Sequence, residues 1–294
     1  MTEDPIRPEE SAGWFEGVAP GDAEAGAARI REGRADAPDD WPERAVAAGF
    51  ADDEDDYYAT LREATLTAAR EAAAERERAT DQQLVHAVRA MDDASSEANE
   101  LAERVAEWAG SRYPDAGTGV DYARELAARD PESPTDERLI SLAERVADLA
   151  DESDALREFI ERETPEVAPN LAAMAGPVLA ARLISLAGGL DSLAKMPSGT
   201  VQVLGAEDSL FAHLRGRAPS PKHGVIFTHE FVRGTHPDER GSAARTLAGK
   251  LTIAARVDHY SGERKPELDE ELQRRMDQIR GRHDASEAES GGGA

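Results

Sequence analysis

The chain has 294 residues, 60 acidic against 34 basic side chains, a net charge of −26, no cysteine and 40% hydrophobic residues. Without cysteine there is no disulfide scaffold, thiol nucleophile or cysteine-based zinc site, and no run of about 18 apolar residues exists to span a membrane. The length suggests about two compact units rather than one.

Of the basic residues, 30 are Arg and 4 are Lys. An acidic excess with so little lysine resembles the proteins of salt-loving organisms. At 1 M salt the Debye length is about 3 Å, so self-repulsion is screened and the acidity speaks of the solvent more than of a partner. The first residues, Met1-Thr2-Glu3-Asp4-Pro5, lack the apolar core of a secretory signal, which implies a cytoplasmic protein.

In chain order, residues 1–50 are rich in Gly, Pro, Ala and acids, with scattered Trp14, Phe15, Trp41 and Phe50. They predict a short N-terminal segment, at most a very small domain. Residues 51–109 contain no Gly or Pro and are dominated by the helix formers Ala, Glu and Arg. The acidic start Asp52-Asp53-Glu54-Asp55-Asp56 suits the positive end of a helix dipole. Up to 59 residues are predicted helical here, roughly 88 Å if unbroken. Within them Leu84, Val88, Met91, Ser95, Ala98, Ala102 and Val105 form a heptad seam.

Residues 113–134 read as a turn region with one short helix near 120–128. Thr135 is then placed to cap a second long helix, with Asp136 and Glu137 in its first turn. There Leu139, Leu142, Val146, Leu149, Ser153, Leu156 and Ile160 make a second seam of matching length. Two matched seams predict an antiparallel coiled-coil hairpin, an arm over 51–170 ended by Pro165 and Pro169.

Residues 171–194 are apolar on most sides and predict a buried helix stopped by Gly188-Gly189. A compact helical domain follows to residue 262. Val225-Ile226-Phe227 is its strand-like run, read equally as a short strand or an extended loop, and 242–257 is its last helix. Residues 263–294 read as a charged flexible tail, with an amphipathic helix at best over 264–282 and a flexible end over 289–294. The expected fold class is all-α.

The charge is segregated. Residues 176–260 are +3, residues 261–294 are −3, and residues 1–175 carry the remaining −26. A neutral-to-basic island in an acidic chain fits either a polyanion surface or a better-buried domain. No P-loop or dinucleotide fingerprint is present, since Gly188-Gly189 and Gly199-Thr200 fit neither spacing. His223 with His229 as metal ligands, or Glu207 with His213 as an acid–base pair, have nothing else assembled around them. No catalytic residue, metal site or cofactor is assigned. The run 213–224 differs: His213, Arg215, Arg217, Lys222 and His223 lie within eleven residues, held by Gly and Pro as a defined loop. Arg and Lys contact phosphates, and Arg and His planes stack on unpaired bases. Trp108 and Phe211 are read as core residues.

These residues also carry a resemblance. Gly199-Thr200-Val201-Gln202-Val203-Leu204-Gly205-Ala206-Glu207, Leu210-Phe211, Pro221-Lys222-His223-Gly224-Val225-Ile226-Phe227 and Ile253-Ala254-Ala255-Arg256-Val257-Asp258 resemble the Nop domain signature. Asp81-Gln82-Gln83-Leu84-Val85, Ala168-Pro169-Asn170-Leu171 and Gly176-Pro177-Val178-Leu179 also fit, and the likeness covers roughly residues 80–260. The chain is similar to the archaeal scaffold of the box C/D ribonucleoprotein, related to the eukaryotic nucleolar Nop proteins. The resemblance implies a coiled-coil homodimer and an all-helical Nop domain that binds guide RNA with a kink-turn-binding, ribosomal-protein-like partner. It also implies an N-terminal domain for the methyltransferase fibrillarin, and a scaffold directing 2′-O-methylation without catalytic residues of its own.

Departures from the family are Asp208 where it has Lys, Ala212 where it often has a basic residue, and Glu230 where it has Pro. Residues 1–50 are also short for the family's N-terminal domain, so fibrillarin binding is either lost or moved to a reduced surface with Trp14, Phe15 and Trp41. The RNA-binding candidates are Lys222, His223, Arg215 and Arg217, with Arg240, Arg245 and Lys250 as further phosphate contacts. Gly205, Ala206 and Gly224 would permit close backbone approach. The competing expectation is a coiled-coil protein–protein adaptor without RNA, its basic loop meeting an acidic protein.

Overall fold

A computed structural model describes residues 13–33 and 39–291. Of the end expected to be flexible, 289–294, residues 289–291 are helical, and 292–294 lie outside the described residues, as do the opening residues 1–12. Every regular element among the described residues is helical, and they divide into two compact units, 1–79 and 80–294.

In the first unit, α1 (Ala23–Glu32), α2 (Trp41–Ala47) and α3 (Glu54–Arg78) start at aspartates. Asp22, Asp40 and Asp53 each accept a hydrogen bond from a first-turn amide, satisfying donors that the helix cannot. Helix α1 lies close on α3 because Gly26 faces Ala64: a Cβ on Gly26 would sit 3.1 Å from the Ala64 Cβ. The core is aromatic. Phe15 stacks on Phe50 at 5.5 Å, and the Trp14 indole donates to the Tyr57 hydroxyl at 3.1 Å. Phe15 is buried and Trp14 and Trp41, each partly buried, pack against the same cluster, so these rings hold the unit together.

This unit also absorbs α3, which the sequence reading gave to the arm. The expected single helix breaks at Ala79, where the backbone turns extended (ψ 143°). The compact division therefore falls at 79/80 rather than 50/51.

In the second unit, α4 (Thr80–Gly110), α5 (Gly119–Ala127) and α6 (Pro134–Val167) form the coiled-coil hairpin. Val88 and Met91 near the start of α4 pack with Ile160 near the end of α6, while Val105 and Ala109 pack with Leu139 and Ile140, which makes the pair antiparallel. The seam departs from the expected positions once: Ala94 is buried and Ser95 exposed, and the predicted spacing resumes at Ala98, Ala102 and Val105. Ser133, rather than Thr135, caps α6, and the helix runs through Pro165 to Val167. Helix α5 packs Tyr122 and Leu126 against the distal end of the hairpin. Asp136 gathers Ser133, Arg112 and Tyr113 there, and these hydrogen bonds, Ser133 foremost, hold its carboxyl below the usual range.

The apolar stretch after the arm is three helices, α7 (Pro169–Ala175), α8 (Pro177–Ala187) and α9 (Leu190–Lys195), separated by the left-handed bends Gly176 and Gly188. They are followed by α10 (Ser198–Val203), α11 (Glu207–Leu214), a 3-10 turn at Val225–Thr228, α12 (Glu230–Arg233), α13 (Arg240–Tyr260) and α14 (Glu267–Gly291). The run 225–227 is thus a 3-10 turn with Ile226 in the core, neither strand nor extended loop.

Residues 267–281 are not a free tail: Leu272, Met276 and Ile279 of α14 are buried in the same core as Leu183, Ile184, Leu247 and Leu251. Two polar clasps join the parts of this unit. Asp81 accepts the Leu190 amide at 2.8 Å, and Gln82 donates to the Gly188 carbonyl at 3.1 Å, tying the root of α4 to the α8–α9 bend. Asp258 of α13 accepts the amides of Asn170 (3.0 Å) and Leu171 (2.8 Å) and the Asn170 side chain (2.6 Å), capping α7 from across the core.

Candidate nucleic-acid interface

The segment Pro221-Lys222-His223-Gly224 reaches the surface as a braced strip. Gln202 donates to the Lys222 carbonyl at 2.7 Å, the Gly224 amide donates to the Gln202 carbonyl at 2.8 Å, and the Val225 amide donates to the Leu204 carbonyl at 2.8 Å. The strip thereby lies flat on the end of α10. Only glycine fits at 224, because a Cβ there would come within 2.0 Å of the Leu204 oxygen. Gly205 takes a positive φ of 80° to turn the chain from α10 into α11. Its amide is held by the Glu207 carboxylate at 2.9 Å, and Ala206 is the first residue outside α11.

Lys222 is exposed, and its stem runs beside the start of α13: a Cβ on Gly241 would lie 3.9 Å from the Lys222 Cδ. The His223 ring stacks on Phe227, with centroids 4.5 Å apart and planes at 19°. Burial, then the positive charges of Arg240 and Lys222, push its pKa below the ordinary histidine value. It is therefore a neutral plane at neutral pH. Arg240 lies over the Phe227 ring at 5.5 Å and donates to the Thr235 and Arg233 carbonyls at 3.1 and 3.3 Å.

Other predicted residues are placed differently. Arg215 and Arg217 are exposed where α11 ends in a Schellman arrangement, with Gly216 left-handed and the Arg217 amide bonded to the Ala212 carbonyl at 2.8 Å. Among the described residues no hydrogen bond or ion pair joins them to the Lys222 strip. Arg245 is exposed on α13 but lies about 140° around the helix from Arg240. Lys250 departs from the expectation: it is buried, and its ammonium pairs with Glu271 of α14 at 2.5 Å, lowering the Glu271 pKa. It holds α14 in place and is not available to a phosphate.

His229 is a structural histidine. Its Nε2 lies 3.0 Å from the Met174 carbonyl, and its Nδ1 accepts the Phe231 amide at 3.1 Å, which assigns the Nε2–H tautomer. His213 bonds the Ala218 carbonyl rather than Glu207. Trp108 and Phe211, expected in the core, are exposed, Phe211 to 57%, and α11 contributes no buried residue at all. Sequence reasoning missed Phe227 and Gln202 as site residues. The signal lay in their position beside the Lys222-His223 pair and in the same motif as Gly205.

The site therefore offers one exposed cation, one neutral ring plane and a tightly bonded backbone, at the surface of a helical head. Residues 124–279, more than half of the chain, match the family model Nop, described as snoRNA binding domain, fibrillarin. The chain belongs to the Nop family. The matched span ends at Ile279, an α14 side chain in the core of the Nop head.

Over 142 residues the chain is 46% identical to an uncharacterised NOP5 family protein of Methanocaldococcus jannaschii, covering 48% of this chain and 34% of that protein. Over 218 residues it is 33% identical to nucleolar protein 58 of Schizosaccharomyces pombe, covering 62% of this chain and 43% of that one. The chain thus spans well under half the length of these curated relatives. A solved structure, the crystal structure of a fibrillarin/Nop5p complex, matches with a TM-score of 0.52 and 26% identity over 87% of this chain and 92% of that chain. Among the described residues no single helix is long and apolar enough to cross a membrane.

Proposed function

We propose that this chain is the scaffold of a box C/D guide ribonucleoprotein directing RNA 2′-O-methylation. It binds guide RNA together with a kink-turn-binding protein, pairs with a second copy through the coiled-coil arm, and recruits fibrillarin. The scaffold supplies no catalytic group and works in the cytoplasm. The observation that carries the reading is the Lys222–Gly224 strip: it is bonded to Gln202 of α10 through two hydrogen bonds yet leaves Lys222 in solvent. Support also comes from the family description and from the solved neighbour, a complex of a Nop5 protein with fibrillarin.

The acid-rich arm and first unit carry almost all of the negative charge, which keeps a polyanion on the head. Family departures such as Asp208 remove positive charge from that face. Binding then leans on stacking and shape, terms that salt weakens less than phosphate pairing. The test is a gel shift at high salt, on a kink-turn guide RNA already carrying its protein, with Lys222→Ala/His223→Ala against the unaltered chain. Loss of the shifted complex is expected, and unchanged binding would refute the assignment. Reconstitution with fibrillarin and a guide RNA, scored by methyl transfer, tests the remainder.

A further inference from the structure

The geometry points to Phe227 and Arg240 as positioning residues that fix the His223 ring as a stacking plane for an unpaired base, with Arg240 acting through this ring column and not on phosphate. The inference rests on the RNA reading above and goes a step further, since it divides the site into groups that touch RNA and groups that hold those groups still.

The rings of His223 and Phe227 lie 4.5 Å apart at 19°, within the range of favourable offset stacking. Phe227 is itself anchored. Its amide donates to the Gly224 carbonyl at 3.0 Å, it packs against the core of the head, and its neighbour Ile226 is fully buried. His223 therefore rests on a plane that the fold has already immobilised.

Arg240 has the appearance of a phosphate contact from its charge, but its guanidinium is turned inward. Nε donates to the Thr235 carbonyl and Nη2 to the Arg233 carbonyl, at 3.1 and 3.3 Å, while Cζ stands 5.5 Å from the Phe227 centroid. This is the geometry of a cation held over a ring. The positive charges of Arg240 and Lys222 add to burial in disfavouring a proton on His223. A ring kept neutral stacks on a base without bringing a counterion exchange of its own. Lys222, with its exposed ammonium, is left as the phosphate contact of this strip.

The two kinds of contact separate by salt dependence. A lost phosphate contact lowers the slope of log K against log salt by about 0.7–0.9, whereas a lost stacking geometry lowers K at every salt with the slope unchanged. The experiment is a salt titration of binding by the full chain to guide RNA carrying its kink-turn protein, for Lys222→Ala, His223→Ala, Arg240→Gln, Phe227→Leu and Phe227→Tyr. Arg240→Gln is expected to weaken binding about tenfold at constant slope, the scale of one base–aromatic stack. It should add less than about twofold in the His223→Ala background, because the plane it serves is then gone.

Phe227→Tyr keeps the ring and should bind as the unaltered chain, while Phe227→Leu should behave as Arg240→Gln. In the free protein, the His223 ring-proton resonances should lose their ring-current shift in Phe227→Leu and keep it in Phe227→Tyr while the rest of the spectrum stays native, which separates loss of the stack from misfolding. A slope drop in Arg240→Gln matching that of Lys222→Ala, or a full tenfold loss in the His223→Ala background, would overturn the positioning role. Normal binding by both Lys222→Ala and His223→Ala would instead overturn the RNA site itself, so the two failures are distinguishable.

Discussion

Gly224→Ala is the sharpest perturbation of the site. A Cβ at 224 would lie 2.0 Å from the Leu204 oxygen and 2.6 Å from the Val203 carbonyl carbon. Both are backbone atoms, so no side chain can swing aside. Ordinary contact begins at 3.4 Å, so the strip must retreat by about 1.4 Å. That retreat breaks the bonds from the Gly224 amide to Gln202 and from the Val225 amide to Leu204, each now 2.8 Å. Two lost bonds at about 1 kcal/mol each, with about 1–3 kcal/mol for the steric push, give a cost of about 3–5 kcal/mol. For a unit of this size that corresponds to a fall in Tm of about 6–20 °C. Thermal unfolding by circular dichroism reads the first effect and a guide-RNA gel shift reads the second, with lost binding expected even below the transition. A Tm within about 1 °C of the parent together with normal RNA binding would show that the strip is not seated as described.

Two further outcomes follow from buried polar groups. Asp258→Ala strips three donors, the amides of Asn170 and Leu171 and the Asn170 side chain, of their common acceptor. A destabilisation of about 3–5 kcal/mol by urea unfolding is expected, less for Asp258→Asn, and a loss under about 1 kcal/mol would contradict the cap. His229 is held neutral in the fold, with its pKa lowered by burial from the ordinary value of 6.5. Its contribution is therefore complete above pH 6.5 and is lost as the pH falls towards the lowered native value, at up to about 1.4 kcal/mol per pH unit. Unfolding free energy between pH 7.5 and 5.5 should fall less steeply in His229→Asn than in the parent, and equal slopes would count against the assignment.

The hairpin was legible in the sequence because a two-seam helical pair needs only local periodicity, and residues such as Leu84, Val105, Leu139 and Ile160 are indeed fully buried. The break at Ala79 was not, since no Gly or Pro marks it. What holds the start of α4 is Asp81 bonding an amide 109 residues away, an interaction invisible to any local window. The 3-10 turn at 225–228 has the same explanation: a short β-branched run is ambiguous alone, and the bond from Val225 to Leu204 decides it.

The docking of α14 left a readable sign that composition concealed, because Leu268, Leu272, Met276 and Ile279 recur at helical spacing among charges. Lys250 likewise lies three residues from Leu247 and four from Ala254, on the core face of α13, so its burial follows from its place in the helix despite its charge. The pairing of Phe227 with Arg240 joins side chains thirteen positions apart through a turn, and composition says nothing of it.

The clasp at the root of the arm has a mechanical consequence. Helix α4, 31 residues long, reaches about 46 Å, so a tilt of about 5° at its base would carry the far end about 4 Å sideways. The bonds from Asp81 to Leu190 and from Gln82 to Gly188 lie at that base, where the same tilt moves atoms very little. They fix where the lever is rooted, and its bearing is left to the packing of Val88 and Met91 against Ile160 of α6 and Ala181 of α8.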